Sequence, residues 1–335
     1  MELSFSFIIP VYNRPNEIKE LLESLGTQTY SKPFEVVIVE DGSTVSSQNV
    51  VASFNDALAI SYYKKVNSGP GDSRNYGMER AKGTYFIVLD SDCIVPPHYL
   101  ETVEQSLKDN FVHCYGGPDA AHESFSTVQK AINYAMTSFL TTGGIRGGKK
   151  AVNKFQPRSF NMGISKEAFA NVGGYGTIHP GEDPDLTIRI WNKGYETKLI
   201  PEAYVFHKRR IDWNKFYNQV HKFGLVRPIL NVWHPKTRKL TYWFPTLFCL
   251  GFLVAFFCGV FGIWMPLVGY GIYFFLLGID ALLKTKDLTV TFLALLATGV
   301  QFLGYGYGFL KSTIYLKISK KRPEALFPKL FFKTK

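Results

Sequence analysis

From Trp243 to Ile279 the chain runs 37 residues without a formal charge, and Leu288 to Leu310 adds 23 more. A helix needs about 20 apolar residues to cross the hydrocarbon of a bilayer. Runs of this length must either enter an unusually large core or meet lipid, and three in succession favour lipid. The first stretch is too long for one span and suits a hairpin turning near Met265-Pro266. Apolar segments are therefore expected at 243–265, 266–283 and 288–310. Tyr242, Trp243 and Trp264 stand where interfacial aromatics belong.

Charge is partitioned in the same way. Residues 1–206 carry 19 Lys/Arg against 23 Asp/Glu, residues 207–240 carry 9 against 1, and residues 241–335 carry 10 against 3. The formal net charge of +11 thus belongs to a belt around the apolar segments. That placement suits anionic headgroups, and it argues against nucleic acid as a partner. Three regions are expected: a folded domain over 1–210, a basic amphipathic interfacial segment over 211–240, and a membrane region over 241–335. Arg238 and Lys239, then Lys284 and Lys286, then the tail from Lys311 all flank apolar runs. By the positive-inside rule all three belong in the cytosol, which needs an even number of crossings. Either 288–310 re-enters without crossing, or the positive-inside rule fails for the tail. The alternating strand Ser4–Ile9 begins without a basic start or cleavage site, so residues 1–210 are expected on the cytoplasmic side of an inner or plasma membrane. Cys93, Cys114, Cys249 and Cys258 lack paired metal-ligand spacing and read as reduced structural residues.

Within the first region, 3–9 reads as strand and Pro15 to Leu25 as helix, with Ile18, Leu21, Leu22 and Leu25 at helical spacing and Gly26 as a stop. The β-branched run Phe34–Val39 is a strand buried on both faces. A helix over 45–58, a strand at Ile60–Tyr63, a helix over 73–82 and a strand at Tyr85–Leu89 complete a β-α-β-α-β-α-β order. This predicts an α/β fold with a doubly wound, mostly parallel sheet. Ligands of such sheets bind beyond the carboxyl ends of the strands. The residues there, Pro10, Tyr12, Asn13, Arg14, Asp41, Asp90 and Ser91, are the candidate ligand contacts. No G-x-G-x-x-G turn follows the first strand, which argues against dinucleotide chemistry.

Asp90-Ser91-Asp92 places two carboxylates on one small turn after a buried strand, enough for Mg²⁺ or Mn²⁺ with a diphosphate completing the shell. Gly181-Glu182-Asp183-Pro184-Asp185 puts three carboxylates at a helix start. They either complement its dipole or include a general base whose pKa is tuned by like-charge crowding.

Pro10-Val11-Tyr12-Asn13, Glu40-Asp41-Gly42-Ser43, Ser73-Arg74-Asn75-Tyr76-Gly77, Leu89-Asp90-Ser91-Asp92, Asn161-Met162-Gly163 with Gly173-Gly174-Tyr175, and Gly181-Glu182-Asp183, taken in order, resemble a family 2 glycosyltransferase of the GT-A fold over residues 1 to 210. The resemblance implies that Pro10, Tyr12 and Asp41 line the base and ribose pocket and that Arg74 faces the nucleotide. It further implies that Asp92, with Asp90 and His207, binds the metal bridging the diphosphate. Asp183 matches the catalytic base, with Glu182 beside it. A single in-line displacement from a UDP- or GDP-sugar, assisted by that base, inverts the anomeric centre.

Other residues point to the acceptor. Thr141–Lys150 is a glycine-rich basic segment, either a surface loop or a closing loop whose Arg146, Lys149 and Lys150 contact acceptor phosphates. Asn161 and Asp185 are further acceptor candidates. Gln219-Val220-His221-Lys222-Phe223 resembles faintly the Gln-x-x-Arg-Trp element of processive synthases, with Lys and Phe replacing Arg and Trp. Residues 212–234 read more simply as an amphipathic interfacial helix. The expected activity is sugar transfer to a lipid-linked or glycolipid acceptor in surface polysaccharide or glycolipid synthesis. A processive polysaccharide synthase is the alternative enzyme, and a nucleotide-sugar-binding membrane scaffold the non-enzymatic one.

Overall fold

The computed structural model describes residues 3–120, 125–143, 155–207 and 212–332. In chain order the first elements are β1 (Phe5–Val11), α1 (Pro15–Gly26), β2 (Glu35–Asp41), α2 (Gln48–Ala52), β3 (Ala59–Lys65), α3 (Pro70–Arg80), β4 (Tyr85–Leu89), β5 (Cys93–Ile94) and α4 (Tyr99–Asp109). Next come β6 (Cys114–Gly116), β7 (Asp119–Ala120), α5 (Thr127–Thr137), α6 (Phe139–Thr142), β8 (Asn161–Ser165), α7 (Lys166–Val172), α8 (Glu182–Asn192), β9 (Thr197–Leu199) and β10 (Val205–His207). The remainder is helical: α9 (Trp213–Trp233), α10 (Phe244–Val260), α11 (Met265–Thr285), α12 (Leu288–Ile318) and α13 (Pro323–Leu326).

These elements form two compact units. Unit 1 comprises Met1–His122, Ala151–Lys208 and Phe331–Lys335; unit 2 comprises Glu123–Lys150 and Arg209–Leu330. The chain therefore enters unit 2 twice, once through α5 and α6, a division that a single block over 1–210 does not anticipate.

Unit 1 is built on a seven-stranded sheet of order β3-β2-β1-β4-β8-β6-β9. β1 to β4 pair in parallel, and β8 runs antiparallel to β4 and β6. The β-branched run of β2 is buried along its length, as a central parallel strand requires. Pro15 opens α1, where its missing N–H costs nothing, and Ile18, Leu21, Leu22 and Leu25 pack onto one sheet face. On the other face α3 approaches so closely that a Cβ at Gly77 would lie 2.8 Å from Ile8. A second sheet, β5-β10-β7, sets His207 opposite Cys93 in antiparallel register. The expected helix over 45–58 is confined to Gln48–Ala52. Ser53, Asn55 and Asp56 follow it as turns, their side chains competing for backbone groups. α3 begins at Pro70, three residues earlier than expected, after Gly69 at φ 94°.

In unit 2, α12 is the element on which the others pack. Ala131, Tyr134, Leu277 and Ala281 cluster with Val290 and Ala294, while Phe216 and Val220 cluster with Ala297. Thr246 Oγ1 donates to Gly306 O at 2.9 Å. Three helices, Leu240–Val260, Met265–Thr285 and Leu288–Ile318, are long and apolar enough to cross a membrane. The hairpin turn falls at 261–264, just before Met265.

α9, where an amphipathic interfacial helix is expected over 212–234, buries part of its surface within unit 2. Phe216, Val220, Gly224, Val226, Ile229 and Leu230 are buried. A Cβ at Gly304 would lie 2.7 Å from Val220, and His221 Nδ1 lies 3.2 Å from Gly304 O. The segment Gln219–Phe223 thus belongs to the α9–α12 contact.

Candidate active site

Arg74 organises the site. Its guanidinium, 3% exposed, donates from Nη2 to Asp90 Oδ1 at 2.7 Å and from Nη1 to Glu182 Oε1 at 3.2 Å. Asp90 follows β4 and Glu182 opens α8, so one buried side chain ties the end of the parallel sheet to the acidic helix start 92 positions later. Its ring-facing side lies over Tyr175, 5.2 Å from the centroid. The resemblance implies that Arg74 faces the nucleotide; in the structure its two Nη atoms meet Asp90 and Glu182. Two carboxylates and full burial make it an internal strut.

Asp92 lies on the far side of the same turn. Its Oδ1 is 3.2 Å from His207 Nε2, and Arg14 Nη1 contacts Oδ2. Asp90 Oδ2 is 3.9 Å from the same imidazole nitrogen. The β5–β10 register makes this meeting unavoidable, since His207 sits opposite Cys93. Burial alone would raise the Asp92 carboxyl, but His207 and Arg14 outweigh it and hold it below the usual range. Phe160 stacks on the His207 ring at 5.0 Å and fixes its plane.

Donor atoms of Asp92, Cys93 and His207 lie within 4.8 Å of one another. Cys93 is a poor ligand here. It is 1% exposed, its Sγ donates to Phe160 O at 3.4 Å, and burial pushes its thiol well above the ordinary value. Asp92 and His207 remain, with Asp90 Oδ2 3.9 Å from the imidazole; carboxylates suit either Mg²⁺ or Mn²⁺, and the borderline imidazole suits Mn²⁺ better.

Asp183 and Glu182 have opposite surroundings. Glu182 accepts from Arg74 and from His179 Nδ1 at 2.9 Å. Burial would raise it, but His179 and Arg74 prevail and hold it below the normal carboxylate range. Asp183 instead keeps a buried Oδ1 with no hydrogen-bond partner among the described residues. Burial first, and the neighbouring Glu182 charge second, raise its pKa to about 6 against the smaller pull of Arg74 and Arg158. Adjacent acids pushed in opposite directions are the pattern of an assigned proton acceptor beside a structural anion.

On the nucleotide side, Tyr12 is 52% exposed and Pro10 half-buried. Asp41 is more occupied than expected. Its Oδ1 accepts from Ser68 N at 2.9 Å and Lys65 Nζ at 2.8 Å, and its Oδ2 from Gly69 N at 2.9 Å. A carboxylate has about four acceptor positions, so roughly one remains for a ligand. Asn13, at φ 54°, is a turn clasp: its Oδ1 accepts from Thr44 N at 2.7 Å and Val45 N at 2.9 Å. Ser91 is buried.

Two acceptor candidates have protein partners. Asn161 is fully buried, accepting from the Tyr99 hydroxyl at 2.6 Å and donating to Ala203 O at 2.8 Å. Asp185 accepts from Arg189 at 2.9 Å, and Arg189 also donates to Val172 O and Gly174 O. Both hold loops together. Arg146 and Lys149 lie outside the described residues.

The sequence reading missed Lys65 and His179, which hold Asp41 and Glu182. A signal existed for the first, because parallel pairing of β2 with β3 puts Lys65 beside Asp41. His179 stands three residues before Glu182, a spacing that carries no weight until α8 is known to begin there.

The polar residues at the strand ends, the Asp90–Asp92–His207 cluster and the buried Asp183 carboxylate are thus all held by unit 1. Residues 6–173 match the family described as "Glycosyl transferase family 2". The chain belongs to that family. It is 31% identical over 193 residues to an uncharacterised glycosyltransferase of Haemophilus influenzae, covering 55% of this chain and 61% of that one. Over 93 residues it is 38% identical to the poly(ribitol-phosphate) beta-N-acetylglucosaminyltransferase TarS of Staphylococcus aureus, covering 27% of this chain and 16% of TarS. The chain thus spans less than two thirds of the length of these relatives. The fold is shared with the mannosyltransferase PcManGT of Pyrobaculum calidifontis in complex with GDP-Man and Mn²⁺, at a TM-score of 0.58 and 17% identity over 96% of this chain and 89% of that one. It is also shared with TarS, at a TM-score of 0.50 and 21% identity over 68% and 40%.

Proposed function

We propose that the chain moves a glycosyl group from a UDP- or GDP-sugar to a hydroxyl of a membrane-associated acceptor, lipid-linked or glycolipid, with inversion at the anomeric carbon. The observation that carries this reading is the Arg74 strut, which joins the Asp90–Asp92–His207 cluster to the helix bearing Asp183. Asp92, Asp90 and His207 would hold Mg²⁺ or Mn²⁺. When bound, the cation neutralises the departing diphosphate as a Lewis acid.

Asp183 takes the proton of the acceptor hydroxyl through its carboxylate. As the new C1–O bond forms, the bond from C1 to the phosphate oxygen breaks, and the nucleoside diphosphate leaves with the electron pair. Glu182 remains ionised, held by Arg74 and His179, and its charge keeps Asp183 basic enough to act. The three apolar helices of unit 2 support an acceptor borne by lipid, with the catalytic unit in the cytosol.

The test is a panel of nucleotide-sugars assayed for hydrolysis and thermal stabilisation with Mn²⁺, Mg²⁺ or EDTA. One donor should be turned over only with metal, and Asp92→Asn should weaken metal-dependent donor binding. Turnover in EDTA, or unchanged metal dependence in Asp92→Asn, refutes the assignment.

A further inference from the structure

The chain leaves unit 1 after His207 in β10 and rejoins it beyond α13. Phe331 pairs antiparallel with Ile178, and the Phe332 N–H donates to Thr177 O at 3.0 Å. The Phe332 ring lies against His179, with centroids 6.0 Å apart, and covers Gly69, where any Cβ would collide with it. Residues on both sides of the helical stretch thus belong to one folded unit. A folded unit occupies one side of a bilayer, so the chain between 207 and 331 crosses an even number of times. Three candidate spans cannot all cross.

The exception is α12. Between Val290 and Thr313 its only exposed residues are Phe292, Leu296, Leu303 and Tyr307, spaced to lie on one face. The opposite face, through Ala294, Ala297, Thr298, Gly304 and Gly308, is buried. α9 runs beside it from Val220, against Gly304, to Leu225, against Gly308, and carries Lys215, Lys222 and Arg227. Cations flanking this contact would be costly at hydrocarbon depth. α10 and α11 differ. Every residue from Val260 to Met265 at their turn is exposed and none is charged.

We propose that α10 and α11 form the bilayer-inserted hairpin, that α12 lies in the interface with its one apolar face to lipid, and that the chain emerges on the side it entered. Lys236, Arg238, Lys239, Lys284 and Lys286 flank the hairpin base, where anionic headgroups would meet them. This seating stands independently of the reaction proposed above.

The test uses the full chain in sealed membrane vesicles of both orientations, with Cys249→Ser and Cys258→Ser removing the hairpin thiols; Cys93 and Cys114 are buried. Asn55→Cys in unit 1 and Lys321→Cys beyond α12 are treated with a membrane-impermeant maleimide. Both should label in the same orientation and only after detergent in the other. Labelling of Lys321→Cys in the orientation that protects Asn55→Cys overturns the proposal. Trypsin on the unmodified chain gives an answer that needs no variant. The peptide Arg322–Lys329 should be released from the same vesicles in which unit 1 is digested, since trypsin cuts after Lys321 and not before Pro323, and its protection there would equally overturn it.

Discussion

Asp183 owes its pKa to position, and the consequence is measurable. Burial and the Glu182 charge lift it to about 6, so the residue is protonated below that pH and a competent base above it. The expected kcat/KM rises as pH climbs through about 6 and levels toward neutrality. A profile flat across that range would assign the base elsewhere. Asp183→Asn should lower kcat by about 10²–10⁴-fold, the ordinary contribution of a general base, with nucleotide affinity unchanged in a binding titration. Arg74 calls for a different measurement. Arg74→Met leaves Asp90 and Glu182 facing one another without their cation, and losing one partner of a buried ion pair costs about 3–5 kcal/mol. Thermal unfolding in detergent should show that loss, and Arg74→Lys should not restore it, because one ammonium lacks the guanidinium fork that spans two carboxylates. At this scale Asp90, Asp92 and His207 were legible because strand ends and short motifs mark them. The strut role of Arg74 was not, since its partner Glu182 is 108 residues away. Asp41 was half legible: its place at the end of β2 is local, whereas its three donors come from the end of β3 and the loop after it, 24 to 28 residues on.

Among the elements, α9 and α12 depend on glycine for their closeness. Gly224 lies against the Tyr305 carbonyl, where a Cβ would collide, and a Cβ at Gly306 would lie 2.9 Å from Pro245. Gly224→Val is expected to force the helices apart at a cost of about 1–3 kcal/mol, the usual range for overpacking. Gly299→Ala, with nothing within 4 Å of the added methyl, should leave the melting temperature in detergent unchanged or slightly raised. Equal losses in the two variants would show that helix propensity, and not the contact, sets the effect. These glycines were visible in the sequence, but their purpose was hidden. Gly304 and Gly308 belong to one helix and their partners Val220 and Leu225 to another some 80 positions earlier, and nothing local links them. The parallel strands were legible for the converse reason, since a β-branched run buried on both faces announces itself without reference to its neighbours.

Over the whole molecule, the proposed seating has two attachments to a membrane, and they respond differently to salt. Residues 207–335 carry 19 Lys/Arg against 4 Asp/Glu, whereas residues 1–206 carry 19 against 23. Attraction between that basic belt and anionic headgroups is screened beyond about 3 Å at 1 M salt. Transfer of apolar side chains into lipid is not weakened by salt, and the exposed surface of α10, α11 and the turn between them is almost wholly apolar, including Phe261 at 82% and Met265 at 79%. Phospholipid vesicles carrying the protein should therefore retain it through a 1 M salt wash and release it to detergent. Replacing anionic by zwitterionic lipid should slow its association without abolishing it. Release by salt alone would mean that the charged belt, and not the hairpin, holds the protein at the bilayer, and the apolar turn at 261–264 would then need a protein partner in place of lipid.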